Sequence, residues 1–169
     1  MTAQEWFKVF STKAKRDKQF CRLVNKSWPR EVPEGKWTPA LRDLLVRMAK
    51  TDGYQVANEA RVVCNQRADQ RWLEGRISQV IIEHENRSDK NLDGESEKRR
   101  NVSKLKVLIT YAPDRNFDKE ASKVAERVRG AIASQAGSFS GEFLLAVAGY
   151  REHDFIGFRS VIQPKMEKT

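Results

Sequence analysis

The chain is predicted to fold as an α/β domain, a mixed sheet with helices on its faces, and three stretches predict it. Arg76–Asn86, RISQVIIEHEN, alternates like a strand yet is nearly continuously apolar over Val80–Ile82, as a central strand buried on both faces would be. Leu105–Tyr111, LKVLITY, is a second compact apolar run with internal Val and Ile. Between it and the last strands lies a helical stripe of Phe117, Ala121, Val124, Ala125, Val128 and Ile132. A strand–helix–strand unit following a hairpin requires helices to cover the sheet.

In chain order, residues 3–26 read as one long helix or two short ones, with Trp6, Phe7, Phe10 and Ala14, then Phe20, Leu23 and Val24, at helical spacing. Trp28 is expected to cover the end of the core, and Pro29 and Pro33 to interrupt regular structure. Thr38–Pro39 opens a helix with a hydroxyl cap and a proline at the first helical position, and Leu41, Leu44, Leu45 and Met48 form its buried stripe. Asp52–Gly53 ends it. Tyr54–Val63 is read as a strand that Glu59 interrupts. Arg67–Leu73 and Ile77–Asn86 form a hairpin about Glu74–Gly75. The polar run 87–101 is a loop closing into a short helix at Glu95–Arg100, and Asn116 is the expected cap of the helix that follows. Phe143–Ala148 and Phe155–Ile162 are the final strands, and the tail after them is frayed. The domain expected is 1–169, with 1–35 a basic helical extension packed on an α/β core of 36–162.

Composition narrows the function classes. The chain has 169 residues, enough for one domain with a sizeable core. It contains 32 Lys and Arg against 23 Asp and Glu, a net charge of +9 that favours acidic partners such as nucleic acid. The first thirty residues hold eight basic and two acidic side chains. Lys13, Lys15, Arg16, Lys18 and Arg22 are the candidate phosphate contacts there, joined by Lys98, Arg99 and Arg100. A solvated helix face or a protein-binding face explains the same residues. Cys21 and Cys64 have no metal-binding spacing and read as two buried thiols in a reducing compartment. With neither a secretion signal nor a spanning segment, a cytoplasmic protein without membrane contact is expected.

The chemistry-bearing residues lie on the hairpin. Alternation puts Ile81, Glu83 and Glu85 on one side of their strand and Val80, Ile82 and His84 on the other, so His84 is not assigned as a base. Carboxylates closing a buried strand are costly unless a cation compensates them. Asp69 lies on the preceding strand, but simple pairing about Glu74–Gly75 leaves it short of Glu83. A bulge, a skewed register or a larger turn must close that offset. Together Asp69, Glu83 and Glu85 form a candidate Mg2+ site, with Mn2+ as the alternative ion. The plain alternative is an exposed strand end made soluble by its carboxylates, and for Glu59 a strand-edge or turn carboxylate.

The segment D69QRW followed by IIEHEN resembles the PD-(D/E)xK nuclease superfamily. The resemblance implies a restriction-endonuclease-like mixed sheet flanked by helices, divalent metal binding and DNA phosphodiester hydrolysis. It makes Asp69, Glu83 and Glu85 catalytic, and Glu59 the additional upstream acid. Glu85 stands where the usual lysine falls, an ExE arrangement that resembles a minority of restriction endonucleases. The expected function is therefore a metal-dependent DNA endonuclease. The alternative is a noncatalytic nuclease-fold protein that binds nucleic acid or modulates a protein complex.

Overall fold

The computed structural model describes residues 1–27, 37–61, 67–84, 103–111, 117–133, 141–151 and 154–163. Helices α1 (Ala3–Arg16), α2 (Lys18–Ser27) and α3 (Trp37–Thr51) precede strands β1 (Gln55–Arg61), β2 (Arg67–Glu74), β3 (Ile77–His84) and β4 (Leu105–Tyr111). Helix α4 (Phe117–Ala133) and strands β5 (Glu142–Arg151) and β6 (Asp154–Gln163) follow. The strands make one six-stranded mixed sheet in sequence order, β1 to β6. Strands β3, β4 and β5 run parallel, while β1–β2, β2–β3 and β5–β6 are antiparallel pairs. The chain is thus a mixed α/β fold, as its alternating elements imply. Trp28, Pro29, Pro33, Cys64, Glu85, Glu95–Arg100 and Asn116 lie outside the described residues.

Two cores flank the sheet. On one face Trp6, Phe10 and Phe20 from α1 and α2, and Leu41, Leu44, Leu45 and Met48 from α3, pack on Trp72, Val80, Ile82, Val107, Ile109 and Leu144. The first two helices share this core with α3. Trp6 stacks on Phe10 at 4.9 Å and meets Trp72 at 5.8 Å, which ties α1 to the hairpin through aromatic area. On the other face α4 lays Ala121, Val124, Ala125 and Val128 over Leu108, Phe143, Leu145 and Val147.

Two helices, not one, form the amino-terminal arm, and Asp17 is the reason. Its extended backbone ends α1, and its carboxylate accepts the Phe20 N–H at 2.8 Å, capping α2. The second carboxylate oxygen pairs with Arg47 of α3 at 2.5 Å. One side chain thus fixes the angles among three helices. Helix α1 opens with a reciprocal capping box between Thr2 and Glu5. Its first N–H groups also meet the Glu142 carboxylate, where Ala3 donates to the mouth of β5. Helix α3 ends as expected at Gly53, whose φ of 81° lets Tyr54 N–H return to the Ala49 carbonyl at 2.9 Å. Cys21 is half-buried, less enclosed than the sequence suggested.

Gly141 is held by close approach. A side chain there would bring Cβ to 2.4 Å from the Ser103 carbonyl oxygen, and its φ is +90°. Gly141→Ala should therefore cost about 2 kcal/mol or more in urea unfolding. Burial opposes ionisation of Asp17, but the Phe20 N–H and the Arg47 guanidinium outweigh it and hold the carboxyl below its ordinary value. The unfolded chain then takes up the proton first, so the charge stabilises the fold above about pH 4 and ceases to do so as pH falls further. Asp17→Asn keeps a cap but loses that charge. Its deficit in urea midpoint, worth up to about 1 kcal/mol for so exposed a pair, should be present at pH 7 and shrink as pH falls below about 4.

Candidate functional site

The faces of β2 and β3 are set from behind. Trp72 is fully buried against the helices, and its indole N–H donates to the Gln70 carbonyl oxygen at 3.3 Å. The Gln70 amide in turn donates to the Arg42 carbonyl of α3 at 3.1 Å. With Gln70 and Trp72 turned toward α3, alternation gives Asp69 and Arg71 to the opposite face. On β3, Val80 and Ile82 belong to the helix-side core, so Ile81 and Glu83 face the side that α4 occupies.

Register then brings the acids level. The hairpin turns through Gly75 and Arg76, one residue later than the sequence suggested, since Glu74 pairs with Ile77. Leu73 pairs with Ser78 but Trp72 with Val80, so Gln79 is an extra residue in β3. Past that bulge Gln70 pairs with Ile82, the last pair of the ladder, and the same register continued would bring Asp69 level with Glu83. Without the bulge Asp69 would fall opposite Ile82 and face away from Glu83. Beyond Gln70 the ladder stops, and the Asp69 carboxylate accepts the His84 N–H at 2.7 Å. Asp69 also borders a narrow crevice on the α3 side of the sheet, with Thr38, Leu41, Arg42, Leu45 and His84.

Glu59 completes the row by register and leaves it by conformation. Asn58 pairs with Gln70 and Ala60 with Ala68, which puts Glu59 beside Asp69. Its φ of 46° is left-handed, however, and its carboxylate lies 3.7 Å from the Arg42 guanidinium of α3. The interruption read from the sequence is thus a backbone kink. His84 faces the helix side as expected: its strand partner is Ile109, of the helix-side core. Burial first, then the nearby Arg42 charge, lower the imidazole pKa to about 4, so His84 is neutral at pH 7.

Glu83 is buried at 7% exposure, while Asp69 is half-buried. Lys106, on β4, is only 2% exposed and was not singled out in the sequence. Its strand partners are Ile81 and Phe143, which places it on the Glu83 face, one row back. Arg71 pairs with Ile81 from the other side and shares that row. The signal for Lys106 was visible as the single charge inside the apolar run LKVLITY. Among the described residues, no group of three or more His, Cys, Asp or Glu side chains is placed to hold a metal ion. Asp69 and Glu83 lie near the same level of adjacent strands by register, Asp69 borders the α3-side crevice with Arg42 and His84, Glu59 pairs with Arg42, and Glu85 lies outside the described residues.

The amino-terminal cations occupy the other side of the sheet. Lys15, Arg16, Lys18 and Arg22 are exposed and Lys13 half-buried. Lys8, Lys13, Arg16 and Arg47 line an open groove of about 760 Å3 between α1 and α3, floored by Val9 and Leu44. The helix layer and the sheet lie between this groove and the Glu83 face. Lys98, Arg99 and Arg100 fall outside the described residues. No family model, curated protein or solved structure matches the chain, and no described helix is long and apolar enough to cross a membrane.

Glu59 offers a direct test of the kink. A left-handed residue with a side chain costs about 1–2 kcal/mol, more than an exposed ion pair returns. Glu59→Gly should therefore be more stable than Glu59→Ala by about 1 kcal/mol in urea unfolding, and the reverse order would assign the kink to the Arg42 contact.

Proposed function

We propose that the chain is a metal-dependent DNA endonuclease on a restriction-endonuclease-like sheet, with Asp69 and Glu83 as the ligands of Mg2+ or Mn2+. The single observation that supports this reading is the bulge at Gln79, past which the strand register runs Asp69 toward the level of Glu83. Both are hard oxygen donors, and Mg2+ is commonly held by one or two carboxylates while waters and substrate phosphate complete its shell. The donor set therefore fits one such ion. When bound, the ion would supply an activated water and charge neutralisation at phosphorus.

The chain's own residues have separate tasks in this reading. Glu83, rigid in the parallel part of the sheet, fixes the ligand position. Asp69, at the rim, is oriented by the His84 N–H. Glu85 is the next acid along the strand and a candidate for water positioning. Neutral His84 packs behind and takes no part in proton transfer.

A second reading is favoured by the placement of the cations. The groove of Lys8, Lys13, Arg16 and Arg47 is remote from the acid row, so a noncatalytic protein that binds nucleic acid on its helix face is the alternative. The readings separate on one assay. Linear, circular and branched DNA incubated with Mg2+ or Mn2+ should be cut by the wild type, and Glu83→Gln should reduce cutting at least about 100-fold while leaving the unfolding midpoint unchanged. Salt-sensitive binding without cutting, equal in wild type and Glu83→Gln, selects the second reading.

A further inference from the structure

We infer that the groove between α1 and α3 is a docking site for an acidic amphipathic helix of a partner protein. The inference is independent of the metal-binding reading, and it departs from the nucleic-acid reading of the same groove.

The groove begins as a pattern in α1. Trp6, Phe10 and Ala14 are buried in the core, while Glu5, Lys8, Val9, Thr12, Lys13 and Arg16 recur at helical spacing on a second face that lines the groove. Leu44 and Arg47, one turn apart on α3, form the opposite wall. From Glu5 to Arg16 the stripe runs about 16 Å at the rise of a helix, enough to seat three turns of a partner.

Charge decides the sign of the occupant. Four cations and two acids line the groove, and both acids are engaged within the fold. Asp17 pairs with Arg47 and accepts the Phe20 N–H, and the Glu5 carboxylate accepts the Thr2 N–H at 2.7 Å. Among the described residues no ion pair holds Lys8, Lys13 or Arg16. Lys13 and Arg16 suit the dipole at the end of α1, but Lys15 does so from outside the groove, and Lys8 lies mid-helix. An acidic partner complements this excess.

The apolar surface decides the class of the occupant. The groove wall is mostly apolar, with Val9 and Leu44 on its floor and long cationic side chains offering their carbon stems. No aromatic side chain is among the described residues that line it. A single nucleic-acid strand binds by stacking on aromatic faces, and a phosphate backbone gains nothing by covering Val9. A helix with apolar residues at i, i+3, i+4 and i+7 and acids on its flanks meets the floor and the rim together.

The probe is a fluorescent synthetic helix of about twelve residues, with leucine at those positions and glutamate between them, followed by anisotropy. A scrambled peptide of the same composition and an oligonucleotide of the same charge are the comparisons. The wild type should bind the helix at least about tenfold more tightly than the scrambled peptide. Lys8→Glu, at an exposed position, should weaken the helix at least about fivefold. Val9→Lys removes apolar contact and adds a cation, so it should weaken the helix at least about fivefold and strengthen the oligonucleotide. Val9→Thr, of the same shape, serves if the lysine variant does not fold: it should weaken the helix and leave the oligonucleotide unchanged. Equal binding of helix and scrambled peptide, or helix binding that these variants leave unchanged, overturns the inference. Tighter binding of the oligonucleotide through Lys8 also overturns it and selects the nucleic-acid reading. Binding of neither probe overturns the groove as a docking site, and none of these results alters the cutting expected to depend on Glu83.

Discussion

The hydrogen-bonded anchor formed by Trp72, Gln70 and α3 decides which way every side chain of the hairpin points. Once Trp72 is buried against Trp6 and Tyr54, and Gln70 is tied to the Arg42 carbonyl, alternation turns Arg71 to the far side and leaves Asp69 at the end of the ladder, bordering the α3-side crevice. The same constraint reaches β3 through the ladder. Val80 and Ile82 must face the helices to close the core, and Glu83 is given to the opposite face as a consequence. Two strands with strong but mismatched demands are reconciled by letting Gln79 bulge. The acid pair is thus a by-product of core packing on the reverse face, and that makes it rigid.

Most element types were legible because local pattern and burial agree. The apolar run of β4 and the stripe of α4 follow from sequence alone, since a parallel strand and its covering helix have few alternatives. The break at Asp17 was not legible, because helical spacing continues on both sides of it. Asp17 caps α2 by accepting the Phe20 N–H, and Arg47, thirty residues away in α3, holds its other carboxylate oxygen. The alignment of Asp69 with Glu83 was legible only as a requirement. A bulge leaves almost no local mark, and a shift of one residue exchanges the two faces of a strand. Glu59 marks its kink by type, an acid within a strand, but its turn toward Arg42 depends on where α3 lies.

The charge of the chain is divided between the two sides of the sheet. Cations of α1 and α2 are set around a groove against α3, while the far face holds carboxylates with Lys106 and Arg71 in the adjacent row. Sequence proximity concealed this separation, since excess positive charge and an acidic pair in one chain suggest a single site. The helix layer and the sheet separate them by distance, since low-dielectric packing does not itself screen charge. A long polyanion engaged on the helix side would have to bend around the sheet edge to meet Glu83.

That edge is the hairpin side, where β1 is the terminal strand and Glu59 carries its left-handed turn. If Glu59 took ordinary strand geometry, a third carboxylate would join Asp69 and Glu83 in one row, and mutual repulsion would rise sharply in a half-buried setting. Turning it toward Arg42 exchanges that repulsion for an exposed ion pair at the cost of an unfavourable φ.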